Sequence, residues 1–70
     1  MKSYRIYIVG KDGRLRLGDA FEAAADSDAI ARAEAAAGTG ETAELWEGGR
    51  MIGATSADGV FVPRGRSPGA

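Results

Sequence analysis

Apolar and polar residues alternate along the first twenty positions and predict a β-hairpin. Alternation divides residues 4–9, YRIYIV, into two sets that face opposite sides of a strand: Tyr4, Ile6 and Ile8, and Arg5, Tyr7 and Val9. Asp12-Gly13 follows, a dipeptide that tolerates the positive φ angles of a two-residue hairpin turn. Residues 14–21 then resume the alternation, so they are predicted to form the second strand.

The register of this hairpin predicts an irregularity in its second strand. A two-residue turn pairs Ile8 with Leu17 and leaves Asp19 opposite Ile6, on an apolar face. An unpaired carboxylate at that position would be costly. We therefore expect either a β-bulge near Gly18, which would turn Asp19 outward, or an early end to the strand.

Residues 26–38, DSDAIARAEAAAG, predict the one helix. Asp26 or Ser27 can serve as the N-cap, and Gly38 stands just past the end. The apolar stripe consists of small or aliphatic residues at helical spacing: Ala29, Ile30, Ala33, Ala36 and Ala37. Arg32 and Glu34 are predicted to point to solvent, while the alanines allow the helix to lie close to a sheet.

Residues 44–53, ELWEGGRMIG, predict a second hairpin with Gly48-Gly49 as its loop. The resulting register pairs Glu47 with Arg50, Trp46 with Met51, Leu45 with Ile52, and Ala43 with Ala54. Ala43, Leu45, Ile52 and Ala54 then form an apolar surface suited to the helix. Trp46 and Met51 lie together on the opposite face.

The predicted architecture is α+β, β-β-α-β-β, with one mostly antiparallel four-stranded sheet and a single helix on one face. The first strand is apolar on both faces and suits a central position, whereas Arg14 and Arg16 suit an edge for the second strand. The order of the third and fourth strands stays open. Residues 1–57 are predicted to form the domain, and residues 58–70 are predicted to form a C-terminal tail. Two states of this tail stay open: it is partly ordered, or about its last ten residues are mobile. Residues 60–62 can add a short edge strand that Pro63 ends.

Three segments carry a resemblance to a known group of proteins. YRIYIVGKDGRL, SDAIARA and AELWEGGRMIGA together resemble a group of short uncharacterised bacterial proteins, common in alphaproteobacteria. That group has a strand with a tyrosine repeat, a D-G turn, an alanine-rich helix and an ELW-x-G-x-R hairpin. The likeness spans about residues 3–54 and is most specific at Glu44, Leu45, Trp46, Gly48 and Arg50. It supports the fold and transfers no functional residue.

Composition removes several classes of site. The 70 residues contain no cysteine and no histidine, which excludes the usual zinc sites and the Ser-His and Cys-His nucleophile systems. The formal net charge is -1 and the pI about 5.2, so no global field favours nucleic acid or anionic lipid. No apolar run approaches the roughly 20 residues of a membrane span. We expect a cytoplasmic protein without a membrane association.

The glycine-rich and acidic segments do not predict catalytic chemistry. The segment GTGET follows a helix and precedes a strand, which is the reverse of a phosphate loop. Asp26 and Asp28 are explained by capping, and Glu44 and Glu47 fall on opposite faces of one strand. We predict no catalytic, cofactor-binding or metal-binding residue, no small-molecule ligand and no enzymatic activity.

An aromatic sheet face is the remaining candidate. The predicted interaction residues are Tyr7, Val9, Trp46 and Met51, with Arg5 and Arg16 beside them. One helix can cover only one side of a sheet, and exposed apolar patches usually mark an interface. A protein partner or self-association is therefore expected. Two alternatives stay open: a local cluster covered by arginine stems and Phe61, and single-stranded nucleic-acid binding through the rings with Arg5, Arg14 and Arg16.

Overall fold

The computed structural model describes residues 1–64, which contain one five-stranded sheet and one helix. The elements are β1 (Lys2–Val9), β2 (Leu15–Ala23), α1 (Asp26–Ala36), β3 (Thr42–Glu47), β4 (Arg50–Thr55) and β5 (Phe61–Pro63). The strands lie in the order β2-β1-β3-β4-β5, and every neighbouring pair is antiparallel. The predicted α+β class is confirmed. Strand β1 is internal, β2 is an edge, and β3, whose place the sequence left open, pairs with β1.

Helix α1 packs against one side of the sheet, the covered face, and its buried residues form the core. They are Tyr4, Ile6, Ile8, Ala23, Ala29, Ala33, Ala43, Leu45 and Ile52. The division of β1 into two faces is thus confirmed, because all three of its predicted core residues are buried. The predicted helix stripe is wrong at Ala36, which stands exposed in the last turn, whereas Ile30 and Ala37 pack at the margin of the core.

The start of α1 differs from the prediction. Ala25 is the N-cap residue, and no side chain caps the helix. The Asp26 carboxylate is engaged elsewhere, since its Oδ1 accepts a hydrogen bond from the Tyr4 hydroxyl at 2.6 Å. The predicted N-cap role of Asp26 or Ser27 is therefore wrong. The acidic residues of the first turn, Asp26 and Asp28, still lie beside the positive end of the helix dipole.

The predicted bulge in β2 is present at Gly18, but it does not turn Asp19 outward. Tyr7 pairs with Leu17 and Ile6 with Asp19, so Gly18 is the extra residue. Asp19 stays on the covered face instead of turning outward, and its Oδ2 accepts a hydrogen bond from Arg32 at 2.9 Å. The predicted pairing of Ile8 with Leu17 is wrong. The predicted two-residue turn is wrong as well, because the Gly10 N-H donates to the Arg14 carbonyl at 2.9 Å across a three-residue loop. This loop sets the phase of residues 15–17, and the bulge restores the predicted pairing of Ile6 with Asp19.

A second bulge, which the sequence did not predict, lies in β4. The Gly48-Gly49 loop and the pairing of Trp46 with Met51 are confirmed. Beyond them Leu45 pairs with Gly53 and not with Ile52, which makes Ile52 the extra residue. Ile52 remains in the core, but Ala54 moves to the opposite face, so its predicted place beside the helix is wrong.

Phe61 accounts for the position of Gly53 in this bulge. A Cβ atom at Gly53 would lie 2.5 Å from Phe61 Cζ and 2.5 Å from the Val62 carbonyl oxygen. Only glycine leaves that space, so Phe61 can pack against the core from β5. The Phe61 N-H donates to Glu34 Oε2 of the helix at 3.2 Å, which ties β5 to α1 as well as to β4.

Part of the predicted tail therefore belongs to the sheet. Strand β5 pairs with β4 in an antiparallel ladder, and the Arg64 N-H donates to the Ile52 carbonyl at 2.9 Å. Phe61 lies on the covered face, so the alternative in which Phe61 shields the aromatic face is wrong. The remainder of the predicted tail, residues 65–70, lies outside the described residues.

Candidate interaction surface on the free face of the sheet

The side of the sheet that carries no helix, the free face, is formed by the residues that alternate with the core positions. Its members are Ser3, Arg5, Tyr7, Val9, Leu15, Leu17, Ala20, Glu22, Thr42, Glu44, Trp46, Met51, Ala54 and Val62. They come from all five strands. The face is therefore a continuous surface and not the exposed edge of one hairpin.

Five of the six predicted interaction residues meet on this face. Tyr7, Val9 and Arg5 follow one another along β1, and Arg5 lies directly opposite Trp46 of β3. Trp46 in turn pairs with Met51 of β4, as the sequence predicted. These pairings bring an indole ring, a thioether and a guanidinium group side by side across three strands.

Arg16 is the exception, and its predicted place on the aromatic face is wrong. The three-residue turn after Gly10 sets Arg16 opposite Ile8, on the covered side of the sheet. There its guanidinium lies 3.3 Å from Glu41 Oε2, in the connection between α1 and β3. A carboxylate partner and the local register both hold this cation away from Trp46.

Three aliphatic residues of the free face escaped the sequence prediction. Leu15 is 58% exposed, Leu17 is 56% exposed and Val62 is 46% exposed. The predicted two-residue turn assigned Leu15 and Leu17 to the core, whereas the observed loop has three residues and reverses their face. The glycine at position 10, just before this loop, was the available signal. Val62 could not be placed until β5 was known to pair with β4.

At the centre of the free face, four residues of β1 and β3 form a square. Arg5 stands opposite Trp46, and Tyr7 stands opposite Glu44. The Trp46 indole Nε1 donates a hydrogen bond to Glu44 Oε1 at 3.2 Å. The second carboxylate oxygen, Oε2, takes no part in this bond. Trp46 and Tyr7 are partly buried, and Arg5 is exposed. Leu15 joins Tyr7, Glu44 and Trp46 around a shallow depression in the face.

Most of the other cations pair with carboxylates away from this square. Arg32 binds Asp19, Arg16 binds Glu41, and Arg14 lies 3.6 Å from Asp12 beside the first turn. Arg50 contacts Glu47 at 2.5 Å at the second turn. Within residues 1–64, no carboxylate forms an ion pair with Arg5. At its centre the free face thus presents one cation, Arg5, and one anion, Glu44, and Glu22 of β2 is a further anion toward the edge.

The strongest change of pKa belongs to the covered side. The hydrogen bond that Tyr4 donates to Asp26, together with burial of its ring, raises the pKa of Tyr4 to about 12. The same bond lowers the pKa of Asp26, with Lys2 and Arg50 adding to the effect. The hydrogen bond from Arg32 likewise lowers the pKa of Asp19. These groups stabilise the contact between helix and sheet, and they do not converge on the free face.

The glycine-rich connection after α1 is a closed turn. The Gly38 N-H donates to Glu41 Oε1 at 3.0 Å, and this bond holds the pKa of Glu41 below its ordinary value. The Glu41 N-H donates to the Gly38 carbonyl, and Gly40 has a φ of +78°. In an anion-binding loop, backbone N-H groups are left to bind the anion. Here the Gly38 N-H already donates to a carboxylate of the same chain. Among residues 1–64, no three acidic side chains meet as candidate metal ligands.

Comparison with protein-family models, with curated proteins and with solved structures found no match. The resemblance to short alphaproteobacterial proteins therefore stays a prediction. Helix α1 has 11 residues, and no helix within residues 1–64 is long and apolar enough to cross a membrane.

Proposed function

We propose that this protein is a small non-enzymatic interaction module that docks onto another protein surface through its free face. It acts as an adaptor or inhibitor of a larger protein, or by assembling with itself. The observation that carries this proposal is the exposure of Leu15, Leu17 and Val62 beside Trp46 and Met51. A face of this composition resembles the centre of a protein interface, where aromatic residues, methionine and arginine are enriched.

The two-layer fold supports the same proposal. The helix covers one side of the sheet, and the radius of gyration is 11.5 Å with extents of 31 × 29 × 18 Å. A domain near this size buries only roughly 60% of the surface that its unfolded chain exposes. Burying the free face against a partner would therefore add apolar contact that the chain alone does not supply.

Substitution on the free face tests this function. Trp46→Ala and Leu17→Asp should each remove association while far-ultraviolet circular dichroism stays unchanged. The matched control is Ala35→Asp, because Ala35 is exposed on the outer side of α1 and tolerates a charge there. Light scattering at two concentrations and a pull-down from the native lysate give the readout. Association that survives both free-face substitutions would contradict the proposal.

Single-stranded nucleic acid is the alternative partner, and the observation that favours it is Arg5 directly beside Trp46. Two features weigh against it. Arg16 lies on the opposite side of the sheet, and the Glu44 carboxylate at the centre of the face would repel phosphates. This alternative predicts quenching of Trp46 fluorescence by an oligonucleotide, with affinity that falls steeply with salt. Unchanged fluorescence at low salt would remove it.

A further inference from the structure

We propose that the partner of the free face is a second copy of this chain, related by a two-fold axis through Tyr7 and Trp46. This inference rests on the proposed function and names its partner. It starts from the square at the centre of the face, in which Arg5 lies opposite Trp46 and Tyr7 lies opposite Glu44. One diagonal of the square joins two opposite charges. The other diagonal joins two aromatic rings.

A two-fold axis along the aromatic diagonal makes this square complementary to itself. An interface between two identical copies must bring one patch onto the same patch of the other copy. Rotation about this axis leaves the positions of Tyr7 and Trp46 in place and, within the reach of these side chains, exchanges those of Arg5 and Glu44. Each Arg5 then faces Glu44 of the second copy, and each ring faces its own counterpart. Leu17 comes beside Val9 of the second copy, so apolar residues also meet.

The resulting arrangement has an ordinary sheet-packing angle. Strands lie about 4.8 Å apart and alternate residues about 6.6 Å apart along a strand, so the diagonal runs at about 36° to the strands. The strands of the two sheets therefore cross at about 70°, closer to the orthogonal class of sheet packing than to the aligned class. The broad side of the molecule, 31 by 29 Å, is of the size needed, because each partner of a stable complex buries roughly 800 Å².

The charges favour a second copy over a partner with a purely apolar surface. An apolar partner would remove Arg5 and Glu44 from water without compensation, which is unfavourable. Within residues 1–64 Arg5 has no ion pair, and Glu44 uses only Oε1 to accept the Trp46 N-H. A second copy supplies a guanidinium for the free carboxylate oxygen and a carboxylate for the free guanidinium, twice over.

Charge reversal gives an experiment with a specific expected result. Arg5→Glu sets two carboxylates against each other in both contacts of a homodimer, and Glu44→Arg sets two guanidinium groups against each other in both. Each single variant should dimerise at least about tenfold more weakly than the natural chain, measured by sedimentation velocity over a concentration series. An equimolar mixture of the two variants should regain dimers, because each of the two contacts in a mixed dimer joins a carboxylate of the Arg5→Glu chain to a guanidinium of the Glu44→Arg chain. Arg14→Glu, at the exposed first turn, is the matched control and should dimerise normally.

The outcomes separate this inference from the proposed function. Natural chain that stays monomeric, single variants that assemble normally, or a mixture that gains no dimer would each overturn the two-fold dimer. A different result would overturn the dimer and leave the proposed function standing: the natural chain is monomeric but captures another protein, and Trp46→Ala abolishes that capture. Glu44→Gln keeps an acceptor for the Trp46 N-H and should still weaken dimerisation, so the test stands even where Glu44→Arg does not fold.

Discussion

The covered face and the free face of this sheet differ in what lies over them more than in their residue types. On the covered face Ile6 and Leu45 have no exposed surface, and Tyr4 has 1%. On the free face Leu15 and Leu17 keep more than half of theirs. An 11-residue helix can bury only one side of a five-stranded sheet. The first face thus determines the stability of the monomer, and the second is free to determine what the monomer binds.

One turn and two bulges give each face its composition. The three-residue turn after Gly10 places Leu15 and Leu17 on the free face and Arg16 on the covered side, and the extra residue Gly18 then returns Asp19 to the covered face. The extra residue Ile52 stays in the core while Ala54 passes to the free face. With the predicted two-residue turn, Leu17 would instead pair with Ile8 and lie under the helix. The free face is therefore apolar because the first turn sets the phase of β2 and a bulge changes the phase of β4.

The largest expected difference between the faces comes from the same substitution made on each. Leu45→Ala should lower the free energy of unfolding by about 2–5 kcal/mol, because it leaves a cavity among residues that are fully buried. Leu17→Ala should change it by less than about 0.5 kcal/mol, because Leu17 is already exposed to solvent. Urea denaturation followed by circular dichroism, at a concentration where the chain is monomeric, measures both. Equal losses of unfolding free energy in the two variants would contradict this difference between the covered face and the free face.

The sequence predicted the covered face better than the free face, and the reason is physical. Alternation in β1 and the glycine turn of the second hairpin are local signals, and both were confirmed. Gly18 predicted a bulge, but Asp19 stays on the covered face because Arg32, 13 residues away in sequence, donates to it. The bulge at Ile52 depends on Phe61, which reaches Gly53 only once β5 has paired. Arg16 alone of the predicted interaction residues left the free face, because the first turn has three residues and not the predicted two.

The next effect tests how tightly β5 is held on the covered side. Gly53→Ala should lower the free energy of unfolding by about 1–3 kcal/mol, because the new Cβ collides with the Phe61 ring and the Val62 carbonyl. Gly49→Ala is the control, since a Cβ there meets nothing within 4 Å. Both variants lose the same flexibility of the unfolded chain, so their difference isolates the collision. Hydrogen exchange at the Arg64 amide should also accelerate in the Gly53 variant alone.

A smaller effect comes from the two tyrosines of β1. Tyr4→Phe removes the hydrogen bond to Asp26 and should destabilise the fold at neutral pH. Tyr7→Phe should not, because within residues 1–64 the Tyr7 hydroxyl makes no hydrogen bond to a side chain or backbone group. Thermal denaturation of the natural chain and both variants at neutral pH compares the two sides of one strand. A larger loss from Tyr7→Phe would reverse the assignment of the faces.

The pH dependence of the Tyr4 variant has a defined sign. The folded pKa of Tyr4 is raised from 10.0 to about 12, so its contribution to stability is complete below pH 10 and disappears as the pH rises to about 12. The pKa of Asp26 is lowered, so its contribution is complete above about pH 3.8 and disappears as the pH falls. The stability difference between the natural chain and Tyr4→Phe should therefore be constant at intermediate pH and shrink at both extremes. A difference that grows above pH 10 would contradict the bond.

The smallest expected effect compares two arginines, one on each side of the sheet. The Arg32 guanidinium lies 4.2 Å from the centre of the Phe21 ring and binds Asp19, but the side chain is exposed. Arg32→Gln should therefore lower the melting temperature by only roughly 1–4 °C. High salt should reduce this difference partly, since salt screens the ion pair more than the contact with the ring. Arg5→Gln should leave the melting temperature of the monomer unchanged and weaken only its association, because Arg5 faces a surface that the monomer does not cover.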